Sequence, residues 1–385
     1  MDLRGVAVKF CVIGPTYPFR GGIAHYTTLL VRHLRERHQV VFYSYSRQYP
    51  RWLFPGSTMP DPSNDALKEP CERIIDPFNP FTWWQAAQRI VADKPDVLLL
   101  QWWTPFWLPL LVTVSLIARR AGIRILYLCH QMIEPDSSAF ELLLARPALR
   151  LGDAFIFMTQ KDFTMAQRVL HGKPIRVGHL PIFDGFPQKG LTRVEARAQL
   201  GIEPGEPLLL FFGFVRRYKG LRYVLDALGQ ISQPPRLLIA GEFWEEQTLY
   251  YDLIRQLGLE KHVVIHNRYI PNEEIEPYFV AADALILPYL SGSQSAVGMI
   301  AMNYSIPVIA TSIGGLAETV THGETGLIVP PADSAALAAA IERFFREGLR
   351  EPFSAAMSQA RVRLSWDALI RIIEETSNDI KPSRS

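Results

Sequence analysis

The stretch Leu287–Glu318, LPYLSGSQSAVGMIAMNYSIPVIATSIGGLAE, decides the fold. It reads as an apolar strand, a small polar loop, a helix, a second apolar strand and a Gly314-Gly315 turn. A loop that runs from a strand straight into a helix presents free backbone N–H groups at the helix start, where they hold an anion. Ser293, Gln294, Ser295, Ala296 and Val297 occupy that start. The side chains of Gln294 and the serines suit sugar hydroxyls. Ser293 or Ser295 also suits a plain N-cap with no ligand.

The same unit recurs on both sides. From VAVKFCVIG to IRVGHLP, continuous apolar strands alternate with amphipathic helices. Residues 184–206, DGFPQKGLTRVEARAQLGIEPGE, break the pattern with Pro, Gly and charge. The alternation restarts at PLLLFFG and runs to TGLIVP. Strands that are apolar throughout, set between helices, make a parallel sheet covered on both faces. The expected fold is α/β, with two doubly wound Rossmann-like domains facing across a cleft. The expected bounds are 1–185 for an N-terminal domain, 186–205 for a linker, 206–357 for a C-terminal domain and 358–385 for a terminal helical segment. Ligands of such sheets bind beyond the carboxyl ends of the strands.

Three further loops sit at such ends. Gly21-Gly22 follows the first strand and opens a helix, which suits either an anion or a tight turn. Gly213 ends a strand, and Arg216 and Lys219 follow before the next helix. Two cations there neutralise a diphosphate and stabilise it as it leaves. His130 ends IRILYLCH and points toward the expected cleft, as a ligand contact or as a structural residue. His171, His179, His262 and His266 lack metal spacing, and no Walker loop or GxGxxG is present.

Composition bounds the function. The 385 residues are 48% hydrophobic and 20% charged, with a net charge of +2. That balance fits a globular chain and excludes a general nucleic-acid binder. Residues 1–55 nevertheless hold eight Lys/Arg against two acids. Such an excess meets phosphates or an anionic membrane, or is simply a solvated face. Three cysteines without metal spacing point to a reducing cytosol. The start MDLRGVAVKFCVIG reads as a strand and not a signal peptide. Val97–Ala118 is uncharged for 22 residues, yet Pro105, Pro109 and its strand–loop–helix pattern argue for a core unit over a membrane span.

Together RGGIAHYTTLL, FFGFVRRYKGL, HNRYIPNEEIEPYFVAADALILPY and IPVIATSIGGLAETVTHGETGLIVPPAD resemble the GT-B retaining glycosyltransferases of family four. The resemblance covers nearly the whole chain. It implies a sugar moved from a nucleotide-sugar to an acceptor with retention, with no metal or other cofactor. It implies a last helix, around Trp366, that crosses back to the N-terminal domain. Gly22 would approach the donor phosphates, and Arg216 and Lys219 would bind the diphosphate. His130 would contact the donor sugar, Arg268 and Tyr269 would flank the nucleobase, and Glu318 matches the Glu of a GGxxE segment. The departure lies in the opening stretch. Where the family carries two Glu, this chain has Gly292 and Ile300. A subset with an SxxQSxV loop is similar to SGSQSAV, which would shift polar contacts to Gln294 and Ser295.

The N-terminal half is rich in aromatics. Tyr17, Trp102 and Trp103 are expected on the acceptor side of the cleft, where flat faces suit sugar rings and lipid chains. With the basic run Arg32–Arg37, they suggest a glycan or lipid-linked acceptor and peripheral contact with the inner face of the cell membrane. UDP- or GDP-sugars are the expected donors, for cell-surface polysaccharide or glycolipid synthesis in the cytoplasm. Two other readings stay open: a non-catalytic sugar- or lipid-binding protein, and a sugar-nucleotide epimerase.

Overall fold

The computed structural model describes residues 7–47, 60–64, 67–131, 146–292 and 294–380. The N-terminal sheet holds β1 (Lys9–Ile13), β2 (Gln39–Tyr45), β3 (Glu72–Ile75), β4 (Val97–Trp102), β5 (Arg124–Cys129), β6 (Ala154–Phe157) and β7 (Ile175–Val177). Its order is β3-β2-β1-β4-β5-β6-β7, and the paired strands are parallel. The C-terminal sheet holds β8 (Leu208–Phe212), β9 (Arg236–Ala240), β10 (Val263–His266), β11 (Ala284–Leu287), β12 (Val308–Thr311) and β13 (Gly326–Val329). Its order is β10-β9-β8-β11-β12-β13, again parallel. Central strands such as VLLLQW and LLLFF are buried along their whole length, because helices cover both faces. Strand order reverses at β1/β4 and at β8/β11, and each reversal leaves a crevice at the carboxyl ends.

The helices are α1 (Gly22–Arg35), α2 (Pro80–Asp93), α3 (Leu108–Arg120), α4 (Gln160–Gln167), α5 (Arg193–Leu200), α6 (Leu221–Leu228), α7 (Thr248–Gln256), α8 (Ile275–Ala281), α9 (Ala296–Asn303), α10 (Leu316–Thr319), α11 (Ser334–Arg346), α12 (Arg350–Arg363) and α13 (Trp366–Asp379). Val97–Ala118 divides into β4 and α3. Among the described residues no helix is long and apolar enough to cross a membrane.

Two elements escaped the sequence pattern. The edge strand β3, ERII, has two charges in four residues and so lacks an apolar run. The helix α12 shows little amphipathic period and buries only Phe353, Met357 and Ala360. The segment 184–206 is fastened down. The Glu276 carboxylate accepts N–H bonds from Lys189, Gly190 and Leu191 at 2.6, 2.9 and 3.1 Å. Arg197, 1% exposed, donates to the carbonyls of Ala281, Glu203, Pro204 and Glu206 and pairs with Asp283.

The last helix returns to the first domain. α13 packs on β6, β7 and α1. Trp366 Nε1 donates to the Ile182 carbonyl at 2.9 Å, and its ring stacks on His33 at 5.2 Å. Arg176 pairs with Asp379 at 2.8 Å on the same face.

Candidate functional site

A cavity of about 370 Å³ lies between the domains, at the carboxyl ends of both sheets. Two helix N-termini face it from opposite sides. Gly21, at φ 114°, precedes α1 in a conformation that disfavours a side chain. A Cβ on Gly22 would stand 2.9 Å from the Cβ of Ala296, at the start of α9. Glycine is therefore what lets the two domains bring their helix starts together.

The loop after β8 supplies charge. Gly213 turns at φ 89°, and a Cβ there would come within 3.0 Å of Lys219 Nζ. Gly220 turns at φ 70°, where a Cβ would strike the Pro288 carbonyl oxygen at 2.0 Å. These turns fold Lys219 against the cavity floor, 7% exposed, with Nζ 5.8 Å from the centre of the Tyr289 ring. Burial, with Arg216 nearby, lowers the Lys219 ammonium to about 8. Arg216 lies over Trp244 and Tyr218, at 5.5 and 5.4 Å. Neither cation pairs with a carboxylate among the described residues. Glu242, on the cavity wall, is paired with Arg20, whose guanidinium also stacks on Tyr269 at 4.2 Å. Two unpaired cations and two helix starts make an electropositive seat for a dianion.

The opening stretch is partly committed to structure. Ser295 caps α9, accepting from Gly298 N–H at 3.2 Å, and bonds to the Tyr289 hydroxyl at 3.1 Å. Gln294 Nε2 donates to the Met158 carbonyl of the other domain at 2.6 Å. Ala296, Val297 and Ile300 line the cavity. Gly292 sits at φ 131° with open space around it, and Ser293 lies outside the described residues.

His130 is buried in the cavity wall, with Nε2 3.2 Å from Gln101 Oε1 and its ring edge-on to Tyr26 at 4.4 Å. Burial lowers it to about 3, so the imidazole is neutral near pH 7. The Tyr26 hydroxyl has no hydrogen-bond partner among the described residues.

Strand parity corrects the aromatic expectation. Along β4, Leu98, Leu100 and Trp102 face the core shared with α2 and α3, while Val97 and Leu99 face the opposite core. Alternation puts Gln101 with the latter, toward His130, and Trp102 away from the cavity. Trp102 and Trp107 are buried, and Trp103 packs on that same core. Tyr17 also lies off the cavity, with its hydroxyl 3.3 Å from the Ser63 carbonyl. The aromatic wall from this domain is instead Tyr26, Phe183 and Phe186.

Two other expected residues stand outside. Arg268 pairs with Glu274 on the surface. Glu318 caps α4 across the domain boundary, accepting from Gln160 N–H at 2.9 Å. Tyr269 does line the cavity and donates to Asp61 at 2.8 Å. That bond belongs to a cross-domain set the sequence did not signal. Asn272 N–H donates to Ser63 Oγ at 2.9 Å and Asn64 N–H to Glu273 at 3.1 Å.

Residues 206–347 match the family model described as glycosyl transferases group 1, and residues 20–182 match glycosyltransferase family 4. The chain thus carries a glycosyltransferase domain of each kind. An uncharacterized glycosyltransferase of Methanocaldococcus jannaschii is 28% identical over 193 residues, 49% of this chain and 48% of that protein. A putative teichuronic acid biosynthesis glycosyltransferase of Bacillus subtilis is 28% identical over 177 residues, 46% of this chain and 43% of its own. The chain spans about half the length of the curated relatives it matches. The solved structure of Anabaena HepE in complex with UDP aligns over 96% of this chain and 99% of its own, with a TM-score of 0.74 at 19% identity. The fold is GT-B. In GT-B terms the cavity is the interdomain cleft, and the β8 loop and α9 form its C-terminal wall.

Proposed function

We propose that the protein is a retaining glycosyltransferase that moves a sugar from a UDP- or GDP-sugar to a glycan or lipid-linked acceptor, without a metal. One observation carries this reading: Arg216 and Lys219, with no carboxylate partner among the described residues, share one cleft with the starts of α1 and α9. Carboxylates balance the buried cations Arg20 and Arg197, whereas Lys219, also buried, has none among the described residues. The UDP bound to the HepE neighbour and the putative teichuronic acid biosynthesis role in the Bacillus relative's name agree with it.

In this reading Arg216 and Lys219 take the charge that builds on the departing diphosphate. Helix N–H groups at Gly22, Ala296 and Val297 share it. His130, neutral, holds a sugar hydroxyl. The acceptor enters from the N-terminal domain (1–185) and the donor sits on the C-terminal domain (206–357). The acceptor proton passes to the departing phosphate oxygen on the same face. Exposed Phe78, Phe81, Trp84 and Phe106 rim the N-terminal sheet at its carboxyl end. They offer contact with the cytoplasmic face of an anionic membrane. The arginines of α1 contribute less to it, since Arg32 and Arg35 pair with Glu69 and Arg37 with Asp367.

A non-catalytic sugar-binding role is the second reading. Ile300 on the cavity wall and the commitment of Ser295 to capping favour it, because both remove side-chain contacts to hydroxyls. A thermal-shift panel of UDP, GDP, ADP and their sugars tests the first. Stabilisation by one diphosphate, lost in Lys219→Ala, supports it, and silence toward all of them sinks it. Slow release of free sugar or transfer to acceptor, followed by anomeric NMR, separates enzyme from binder.

A further inference from the structure

Asn272 opens the short turn Asn272–Glu274, lines the cleft and is 1% exposed. Its backbone N–H is held by Ser63 Oγ at 2.9 Å. Its side chain is not held. Neither Nδ2 nor Oδ1 has a hydrogen-bond partner among the described residues. A buried amide left this way costs stability that an apolar side chain of equal size would not, so a fold retains it poorly without a use.

The surroundings limit that use. Ile270 and Ile275, beside Asn272 in the chain, are apolar lining residues. Phe183 and Phe186 face in from the other domain, and His25 stands edge-on to Phe186 at 5.5 Å. A sugar carries hydroxyls all round and is poorly served by flat apolar walls with one amide. A planar heterocycle fits better, with its faces against hydrocarbon and one edge presenting a donor beside an acceptor. We propose that the Asn272 side chain reads the nucleobase edge of the nucleotide, with Oδ1 accepting from a ring N–H and Nδ2 donating to the neighbouring carbonyl. This assignment rests on the nucleotide-sugar reading above.

Calorimetric titration of wild type and Asn272→Leu with UDP, GDP, ADP and inorganic pyrophosphate tests it. The variant should bind the preferred nucleotide about tenfold more weakly and pyrophosphate, which has no base, unchanged. Unchanged pyrophosphate binding also shows that the variant is folded. Equal loss toward nucleotide and pyrophosphate, or no loss toward the nucleotide, overturns the inference. Asn272→Asp keeps the shape and replaces the donor. It should move the order of preference toward guanine, whose edge offers two adjacent donors, and an unchanged order counts against the assignment. A wild-type protein silent to all four ligands overturns both this and the nucleotide-sugar reading. A wild type that binds while both variants match it overturns this inference alone.

Discussion

Lys219 should trade stability against binding, and pH should expose the trade. Burial holds its ammonium at about 8, below the ordinary 10.5. The fold therefore works against that charge by about 3 kcal/mol at pH 7. The sign follows from proton counts. Between pH 8 and 10.5 the unfolded chain keeps a proton that the folded chain has released, so this group's penalty fades as pH rises through that window. Lys219→Met fills similar space without charge. It should raise the stability of the C-terminal domain by up to about 3 kcal/mol at pH 7, and the gain should vanish near pH 11. Binding runs the other way. At pH 9 about one-tenth of the free protein holds Lys219 charged, against about nine-tenths at pH 7, so UDP affinity should fall about tenfold across that span. Among the other groups lining the cleft, His130 loses its proton far below this range, and burial pushes Tyr26, Tyr218, Tyr269 and Tyr289 up from the ordinary tyrosine value. Lys219→Arg, whose charge does not titrate, should flatten the profile. The assay is UDP titration at pH 7, 8 and 9 beside thermal melts of each variant. A Met variant that melts below wild type, or a wild-type affinity that is flat from pH 7 to 9, refutes the reasoning.

Gly22→Ala should weaken UDP binding at least tenfold with little change in melting temperature, because its Cβ would stand 2.9 Å from that of Ala296 and press the domains apart. Calorimetry and a melt read the two quantities separately. Trp366→Ala should cost about 3–5 kcal/mol in denaturant unfolding, since it empties a buried ring site and orphans the Ile182 carbonyl. The double change Phe81→Ser with Trp84→Ser should reduce sedimentation with phosphatidylglycerol vesicles severalfold and leave UDP titration unchanged.

Much of the site was legible where chemistry and chain position coincide. FFGFVRRYKG joins a buried strand, a positive-φ glycine and three cations within ten residues, so Gly213, Arg216 and Lys219 could be read together. His130 was legible for the same reason, at a strand's end. The tryptophans were misread because a strand alternates, and residue type alone does not say which sheet face meets the second domain. The polar Gln101 inside VLLLQW was the available sign of that face. Asp61, Ser63 and Asn272 stayed hidden because their partners lie some 209 residues away, as Ser63 does from Asn272. Glu318 looked like a ligand group because its motif does not reveal that it caps a helix in the other domain.

The meeting of α1 and α9 at Gly22 and Ala296 has a consequence for motion. Each domain owns half of one anion seat, so neither half alone holds a diphosphate at full strength. The ligand then binds the closed arrangement far better than an open one, and that difference is what it can spend on closing the cleft. In the proposed reading the diphosphate would act as a clasp that adds to the cross-domain hydrogen bonds. Its departure after transfer would remove that clasp, so opening, product release and loss of charge from the seat become a single event.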